Sequence, residues 1–340
     1  MNTERSFFFR PAWVFYLLAA LSSCTTPTSK TNPVPTEFAD NVMTINYRIL
    51  VGGALSPSQK YRIQQIIQET FSEVDAIYNK WNPASEISQL NRLSASEWRI
   101  LSPQLFSFMQ RMDQLVKLTE GRFDPTIEPL QELWKNHLEN GNEPPEEEII
   151  ALKPCIGWDK IQFASGLFYK ADSRTQLDLG GIAKGYCVDL LVERLHQEGF
   201  TQLYVEWGGE IRTSGYHPEG RPWRVYISRL ENPDPHQAIA HLNLINQALA
   251  TSGDYFQHWT IRSTDGEPLT YCHIFNPKTL QPLLVKPGSI ASASLAANDC
   301  LTADALAKVL MLFDTPEEAQ QWFKKLQETD PHLACWIVTR

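Results

Sequence analysis

The 340-residue sequence lacks several features that would place it in a familiar class of protein. It carries a net charge of −9 and has no strongly basic block, which argues against general nucleic-acid binding. Its six cysteines show neither CxxC spacing nor clustering with histidine, so they indicate neither a disulfide framework nor a zinc site. Neither a GxGxxG dinucleotide-binding pattern nor a Walker loop is present, and no internal repeat is evident.

A second apolar run of membrane-spanning length is also missing, and the run near the N-terminus is short. Arg5 and Arg10 give the first residues a positive charge, and the apolar residues 11–21 follow, as in a secretory signal peptide. The sequence Leu-Ser-Ser-Cys that ends at Cys24 resembles a bacterial lipobox, in which the cysteine is lipidated and becomes the first mature residue. An ordinary signal peptide, or an unmodified N-terminus, is the alternative.

These features predict three segments in the chain. A lipoprotein signal peptide covers residues 1–23, and the lipidated cysteine with a flexible tether rich in Thr, Pro and Ser covers residues 24–40. One large folded domain covers residues 41–340. The protein is expected to be exported and held by its lipid at a membrane, at the periplasmic face of the bacterial inner membrane.

The apolar pattern alternates between helical and strand-like segments without a regular βα order. Ser56 and Pro57 begin a helix, and from residue 158 onward short strand-like runs are interrupted by helices. We therefore predict an α+β fold with mixed sheets and packed helices, rather than a doubly wound sheet. Trp81 either completes the apolar face of the first helix, as its spacing favours, or stacks on an aromatic ring system. The other residues of that face are Ile63, Ile66, Ile67, Phe71, Val74 and Tyr78.

The segment 177–191 reads LDLGGIAKGYCVDLL and has the strongest functional features. Gly180 and Gly181 allow the backbone to approach a ligand closely, and the helix that follows favours negative charge at its N-terminus. Lys184 adds a mobile cation, and Asp178 is placed to orient a polar group or a metal. The alternative is a strand-to-helix turn with a buried polar pair.

Further candidate residues lie elsewhere in the chain. Phe123 and Asp124 present an aromatic ring and a carboxylate on a tight turn, which taken alone is a capped loop. His273 stands alone, and such a histidine is more often structural than catalytic. Asp304 and Lys308 lie four residues apart on one helix face, as an ion pair or, for the acid, as a metal ligand. Together these groups suit a phosphorylated aromatic cofactor with Mg²⁺, which typically takes one or two protein carboxylates.

In their order along the chain, these motifs resemble those of the ApbE-type flavin transferases (FAD:protein FMN transferases). The matching segments are individually weak, but together they are specific and span nearly the whole mature chain. They are residues 42–44, 85–91, 121–130, 177–189, 208–215, 250–255, 273–277 and 302–307.

The resemblance implies an exported, Mg²⁺-dependent enzyme with an ApbE-like fold in a single two-lobed body. Such an enzyme splits FAD, transfers FMN through a phosphoester bond to a threonine hydroxyl of a partner protein, and releases AMP. The family's acceptors are subunits of membrane redox complexes, such as the sodium-pumping NADH:quinone reductase and Rnf complexes. The alternatives are an FAD pyrophosphatase that releases FMN and AMP, a non-enzymatic FAD-binding lipoprotein and, more remotely, a generic solute-binding lipoprotein.

The resemblance also implies roles for individual residues. His273 matches a residue that helps to deprotonate the acceptor. The Gly181 carbonyl and Asp304 match the Mg²⁺ ligands, and Lys308 stands at the position of a third ligand. The residues expected to contact the cofactor are Met43, Trp81, Phe123, Asp124, Asp178, Lys184 and Phe275.

Four positions depart from the family pattern. Lys308 stands where threonine is usual as a ligand of Mg²⁺, Asn276 where aspartate is frequent, and Glu210 where Asp or Asn is usual. The glycine that commonly follows Met43 is absent. A lysine beside Asp304 removes a hydroxyl ligand and adds charge, so either Mg²⁺ binds more weakly or the ammonium partly replaces its electrostatic role.

Overall fold

The computed structural model describes residues 34–340, apart from residues 231, 233, 256 and 264. The predicted signal peptide and Cys24 lie outside the described residues. Over the described ranges, no helix is long and apolar enough to cross a membrane.

The helices and strands follow one another in an irregular order. The α-helices are α1 (Pro57–Ile77), α2 (Glu86–Asn91), α3 (Pro103–Leu118), α4 (Glu128–Glu139), α5 (Glu146–Leu152), α6 (Ala183–Gln197), α7 (Cys300–Leu310) and α8 (Pro316–Thr329). The first strands are β1 (Thr36–Val42), β2 (Ile45–Val51), β3 (Arg99–Ile100), β4 (Ile161–Gln162), β5 (Leu167–Lys170), β6 (Leu203–Trp207) and β7 (Glu210–Ser214). The later strands are β8 (Trp223–Ile227), β9 (Ala240–Leu244), β10 (Ala248–Gly253), β11 (His258–Arg262), β12 (Pro268–Asn276), β13 (Gln281–Leu284), β14 (Ile290–Ala297) and β15 (Ala334–Thr339).

In the described part of the chain, seven strands form the main sheet, in the order β1-β2-β6-β7-β10-β14-β15. Every neighbouring pair in it is antiparallel. Smaller sheets are formed by β11-β12-β13, by β3-β5-β4 and by the β8-β9 hairpin. Antiparallel strands interrupted by helices form the predicted α+β fold, and the doubly wound sheet, which is mostly parallel, is excluded.

Both faces of the main sheet are covered. Helices α1, α6 and α7 share one apolar core with the sheet, and the β8-β9 hairpin packs on the opposite face through a second cluster. The two-residue period of β10 shows this arrangement, since Ala248 and Ala250 join the helical core whereas Leu249 joins the hairpin cluster. Helix α4 packs against the β11-β12-β13 sheet through a third cluster around Trp134.

Folded structure begins earlier than predicted. Strand β1 starts at Thr36, within the segment 24–40 predicted as tether. It pairs with β2 over all seven of its residues, although only Phe38 is buried. This segment is an edge strand that is held by backbone hydrogen bonds and not by a row of buried side chains. Its sequence therefore lacks the alternating apolar pattern that would predict a strand.

The first helix ends before Trp81. Helix α1 has Tyr78 as its C-cap residue, and Trp81 is 76% exposed. The side-chain amides of Asn79 and Asn82 both donate to the Asp75 carboxylate, and such local hydrogen bonds compete with continued helix. The prediction that Trp81 completes the apolar face is therefore wrong.

The predicted start of the first helix at Ser56 and Pro57 is confirmed. The Ser56 hydroxyl accepts a hydrogen bond from the backbone amide of Gln59 and so caps α1, and Ser102 caps α3 in the same way. Residues 161–170 contain the β4-β5 hairpin, with Ser165 in the left-handed region at a φ of 53°. The five cysteines of the described chain are all free.

Candidate active site

One cavity of about 680 Å³ brings most of the predicted site residues together. Its walls come from the segments before α4 and α6, the ends of β7 and β10, strand β12 and helix α7. The predicted residues that line it are Trp81, Phe123, Asp124, Asp178, Gly181, Lys184, His273, Phe275 and Lys308.

Met43 does not line this cavity. It lies in the tight turn between β1 and β2, with a φ of 51°, and it contributes to a separate groove of about 650 Å³ beside Phe71 and Asp75. The two-residue turn fixes this position, because its strands pair without interruption up to Val42 and Ile45. Met43 therefore lies apart from the other predicted flavin contacts, and its own contact with the flavin stays a prediction.

A glycine sets the distance between the two helices that carry the charged residues. A Cβ atom on Gly185 would lie 2.4 Å from the Cys300 carbonyl oxygen and 3.0 Å from the Asp304 Cβ, so only glycine lets α6 pack this closely on α7. The Gly185 amide also donates to Asp304 Oδ2 at 3.2 Å. Asp304 is 2% exposed and lies behind the cavity wall rather than in it.

The Lys308 ammonium lies between the two predicted metal ligands. Its Nζ is 3.3 Å from the Gly181 carbonyl oxygen and 3.3 Å from Asp304 Oδ1. A Cβ atom on Gly181 would lie 3.3 Å from both the Cδ and the Cε of Lys308, so the glycine also leaves room for the lysine side chain. The ion pair and the predicted cation position therefore coincide.

A second lysine reaches the same region from α6. Lys184 Nζ donates to Glu210 Oε1 at 2.5 Å, and Glu210 is only 2% exposed. Burial, together with the nearby charge of Asp304, raises the pKa of Glu210 to about 7 against the opposing effect of Lys184. Among the described residues, none forms a hydrogen bond with the other carboxylate oxygen of Glu210. Glu210, which is longer than the Asp or Asn usual at this position in the family, thus holds Lys184 in place.

Asp178 belongs to a buried charge network. Its carboxylate accepts hydrogen bonds from Gln131 and from the Gly180 amide, each at 2.8 Å, and Lys80 Nζ lies 3.3 Å away. Burial alone raises the pKa of this carboxyl, but Lys80 and the Gly180 amide outweigh it and hold the pKa below its usual value. Lys80 also donates to Glu128 at 2.5 Å, and burial beside Asp178 raises the pKa of Glu128 to about 7. Asp178 is therefore an ionised, pre-oriented acceptor.

His273 carries its lone pair on Nε2. Its Nδ1 lies 3.2 Å from the Gln257 carbonyl oxygen, which only accepts, so in the neutral ring the proton is on Nδ1. Burial lowers the pKa of His273, and the positive charge of Lys308 lowers it further. The ring is thus neutral at pH 7 and has the protonation state of a general base.

Aromatic side chains form the less polar wall. Phe123 and Phe275 are buried at the edge of the cavity, whereas Trp81 projects from its rim with Lys80 Nζ 5.1 Å from its ring centroid. Asp124 Oδ1 accepts from both the amide and the hydroxyl of Thr126, so the carboxylate shapes the turn that presents Phe123. Burial raises the pKa of Asp124.

Several residues of the site were not singled out from the sequence. Lys80, Gln131 and Lys135 line the cavity, and their positions depend on contacts between distant segments. Glu128 and Asp189 lie inside segments that match the family motifs. Asp189 could have been found from the sequence, because it is a carboxylate within an otherwise apolar run. Asp189 accepts from the first two amides of α7 and pairs with Arg212, so it positions the helix that carries Lys308.

The family model for ApbE matches residues 42–335 of this chain. The chain belongs to the ApbE family. Its relatives include a protein from Chlamydia pneumoniae named FAD:protein FMN transferase, 40% identical over 310 residues that cover 91% of this chain and 93% of the relative. A protein of the same name from Chlamydia muridarum is 38% identical over 336 residues, covering 98% of each chain.

Solved ApbE structures share the fold. The apo form of the flavinyl transferase ApbE from Pseudomonas stutzeri aligns with a TM-score of 0.76 at 25% identity, covering 91% of this chain and 92% of that one. The flavin transferase ApbE from Vibrio cholerae aligns with a TM-score of 0.73 at 27% identity, covering 90% and 94%. The predicted family and ApbE-like fold are confirmed.

The residues at the predicted Mg²⁺ position of this ApbE chain do not fit a divalent cation. Mg²⁺ takes about six oxygen ligands near 2.0–2.1 Å, of which the protein usually supplies only one or two while water and phosphate oxygens supply the rest, so the number of ligands is not the obstacle here. The chain offers the Gly181 carbonyl and one oxygen of Asp304, and the Lys308 ammonium lies within hydrogen-bond range of both. A positive charge among the ligands opposes a second one, so this position suits the ammonium and not the metal.

Proposed function

We propose that this chain transfers FMN from FAD to a threonine hydroxyl of a partner protein through a phosphoester bond and releases AMP. The transfer of FMN from FAD to a protein follows the names of its ApbE relatives. The observation that carries the proposal is the convergence of Lys184, Lys308 and the neutral His273 in one cavity with an aromatic wall.

The reaction exchanges the phosphoanhydride bond of FAD for a phosphoester bond to the acceptor. The threonine oxygen attacks the phosphorus of the FMN half of FAD, and the bond from that phosphorus to the bridging oxygen breaks. AMP leaves with the bridging oxygen, and the hydroxyl proton passes to Nε2 of His273. Lys184 and Lys308 stabilise the negative charge that develops on the phosphoryl oxygens, which is the main catalytic demand of phosphoryl transfer.

The flavin end and the phosphate end bind at different walls of the cavity. Phe123, Phe275 and Trp81 offer aromatic surface for the flavin ring. The glycine pair before α6 lets the pyrophosphate approach the backbone, and Lys184 in the first turn of α6 meets its charge. The predicted Mg²⁺ takes no part in this proposal, because the residues at its position do not fit it.

The non-enzymatic alternative is suggested by the departures from the family pattern at Lys308 and Asn276, and the contacts of Asn276 argue against the second reason. Asn276, which replaces a frequent aspartate, accepts a hydrogen bond from the Lys278 amide at 2.9 Å through its side-chain oxygen. An asparagine oxygen shapes this turn as an aspartate oxygen does. The exchange at position 276 therefore preserves local geometry and gives no reason to expect an inactive site.

The cellular setting is part of the same proposal. Export, lipidation at Cys24 and a location at the periplasmic face of the inner membrane would place the cavity near acceptor subunits of sodium-pumping NADH:quinone reductase or Rnf complexes. Metabolic labelling with palmitate tests the anchor, and Cys24→Ala is expected to abolish the label and release the protein from the membrane. Retention of both label and membrane association by that variant would contradict it.

An in vitro assay tests the transfer itself. The full chain in detergent is incubated with FAD and a threonine-bearing acceptor fragment, once in Mg²⁺ and once in EDTA. We expect flavin fluorescence that stays on the denatured acceptor, with one AMP released per flavin bound. Free FMN and AMP without acceptor labelling would indicate the pyrophosphatase alternative. Tight FAD binding without AMP release under either condition would refute both enzymes.

A further inference from the structure

Resting on the proposed flavin transfer, we infer that the Lys308 ammonium is the built-in cation of this site, and that FAD binding and transfer need no divalent metal there. The inference concerns one nitrogen atom and the two oxygen atoms around it. It reverses the Mg²⁺ dependence that the family resemblance implies.

The Lys308 nitrogen lies at the position that the resemblance gives to the cation. Asp304 and Lys308 are four residues apart on α7, so their side chains lie on the same helix face. The lysine extends across that face until its Nζ lies 3.3 Å from both Asp304 Oδ1 and the Gly181 carbonyl oxygen. These are the two atoms that would hold the metal. The ammonium thus occupies the same oxygen-lined position.

The surroundings fit the lysine side chain. The hypothetical Cβ of Gly181 would lie 3.3 Å from its Cδ and Cε, which shows that the aliphatic stem packs directly on the glycine backbone. The second Asp304 oxygen accepts from the Gly185 amide at 3.2 Å, which orients the carboxylate so that Oδ1 faces Lys308. The lysine side chain is 28% exposed, which leaves its ammonium accessible from the cavity.

Three lysine ammonium groups reach the cavity, and each is held in place by a largely buried carboxylate. Lys308 and Lys184 approach the cavity from α7 and α6, and Lys80 approaches it beside Asp178. A fixed ammonium that already lies among hydrogen-bond acceptors needs little reorganisation when phosphoryl oxygens arrive. A metal would have to displace that ammonium first.

A metal comparison tests the inference. We expect wild-type chain to label the acceptor at the same rate in EDTA and in Mg²⁺. Lys308→Thr restores a hydroxyl ligand and removes the charge, so we expect a loss on the order of 10²-fold in EDTA that Mg²⁺ largely reverses. Lys308→Met keeps the stem without charge or ligand, and we expect the same loss in EDTA with a smaller recovery in Mg²⁺.

A matched control and a binding measurement complete the test. Asp113 and Lys117 form an ion pair with the same four-residue spacing on α3, outside the cavity. Lys117→Thr is therefore expected to leave the labelling rates in EDTA and in Mg²⁺ unchanged. Electron paramagnetic resonance with Mn²⁺ in the presence of FAD should show one bound ion in Lys308→Thr and none in wild type. This measurement does not require the acceptor. A melting curve of each variant shows whether it is folded.

The outcomes separate the two proposals. Wild-type labelling that requires a divalent metal, or one equivalent of Mn²⁺ bound to wild type, would overturn the inference and leave the proposed function intact. Absence of labelling and of AMP release under both conditions would refute the proposed function, and the Mn²⁺ titration would then decide the inference alone.

Discussion

Gly185→Ala tests whether the contact between α6 and α7 sets the geometry of the site. In an ordinary helix this exchange stabilises the fold by about 0.5–1 kcal/mol, because alanine loses less conformational freedom. Here the added Cβ would lie 2.4 Å from the Cys300 carbonyl oxygen and 3.0 Å from the Asp304 Cβ. Overpacking of this kind costs about 1–3 kcal/mol. We therefore expect the exchange to destabilise the protein, with a net decrease of about 1–2 kcal/mol in the free energy of unfolding.

The same change should reduce activity. Helix α7 must move away from α6, and the move carries Asp304 and Lys308 with it. A displacement near 1 Å costs on the order of 10²-fold in rate when it misplaces groups around a reacting phosphate. Urea unfolding measures the stability, with an unchanged m-value as the sign of an unchanged native state, and acceptor labelling measures the rate.

Gly220→Ala is the matched control. Gly220 has a φ of +77°, and a Cβ atom added there would have nothing within 4 Å, so alanine suffers backbone strain of about 1–2 kcal/mol without a clash. We expect both variants to lose similar stability and only Gly185→Ala to lose activity. A Gly185→Ala protein as stable and as active as wild type would refute the idea that this contact fixes the site.

Three further predictions address the charged groups. Lys80→Met leaves the carboxylates of Glu128 and Asp178 buried without their cation, so we expect a loss of about 3 kcal/mol at pH 7 that shrinks as the pH falls and the acids protonate, measured by urea unfolding across pH. A loss that does not depend on pH would contradict it. His273→Ala should lower the labelling rate by about 10²–10⁴-fold. Because the pKa of His273 is lowered and its neutral form is the base, the wild-type rate should fall only below pH 6.5, and this fall should disappear in the variant. Asp189→Ala removes the acceptor for the first two amides of α7 and should cost about 3 kcal/mol by thermal unfolding, whereas a change within error would show that other groups position α7.

The sequence was sufficient where local chemistry decides the structure. Caps such as Ser56 and the hairpin at 161–170 were predictable, because their hydrogen bonds join residues close together in the chain. The family motifs located the cavity residues for a similar reason, since each motif is a short segment. Prediction failed at Trp81, where two asparagine side chains end the helix early, and at β1, where backbone pairing replaces apolar periodicity.

The charge network was out of reach for a different reason. Lys80 meets Glu128 and Asp178, which lie 48 and 98 residues further along the chain. No spacing rule joins such residues, and only the packing of α4 and the segment before α6 brings them together. Local patterns therefore identified many of the cavity residues, and the ion pair within α7, but not the pairs formed between distant segments.

Lys308 shows both what the sequence could predict and what it could not. Its four-residue spacing from Asp304 was visible in the sequence, and so was the exchange of threonine for lysine. The sequence left open whether the ammonium points away from a bound metal or takes its place, because that depends on the backbone of Gly181, 127 residues earlier. Two glycines decide the question: Gly185 brings α7 against α6, and Gly181 leaves the space that the lysine stem fills. A residue that reads as a lost ligand in the sequence is, in the folded chain, a cation held by the remaining two.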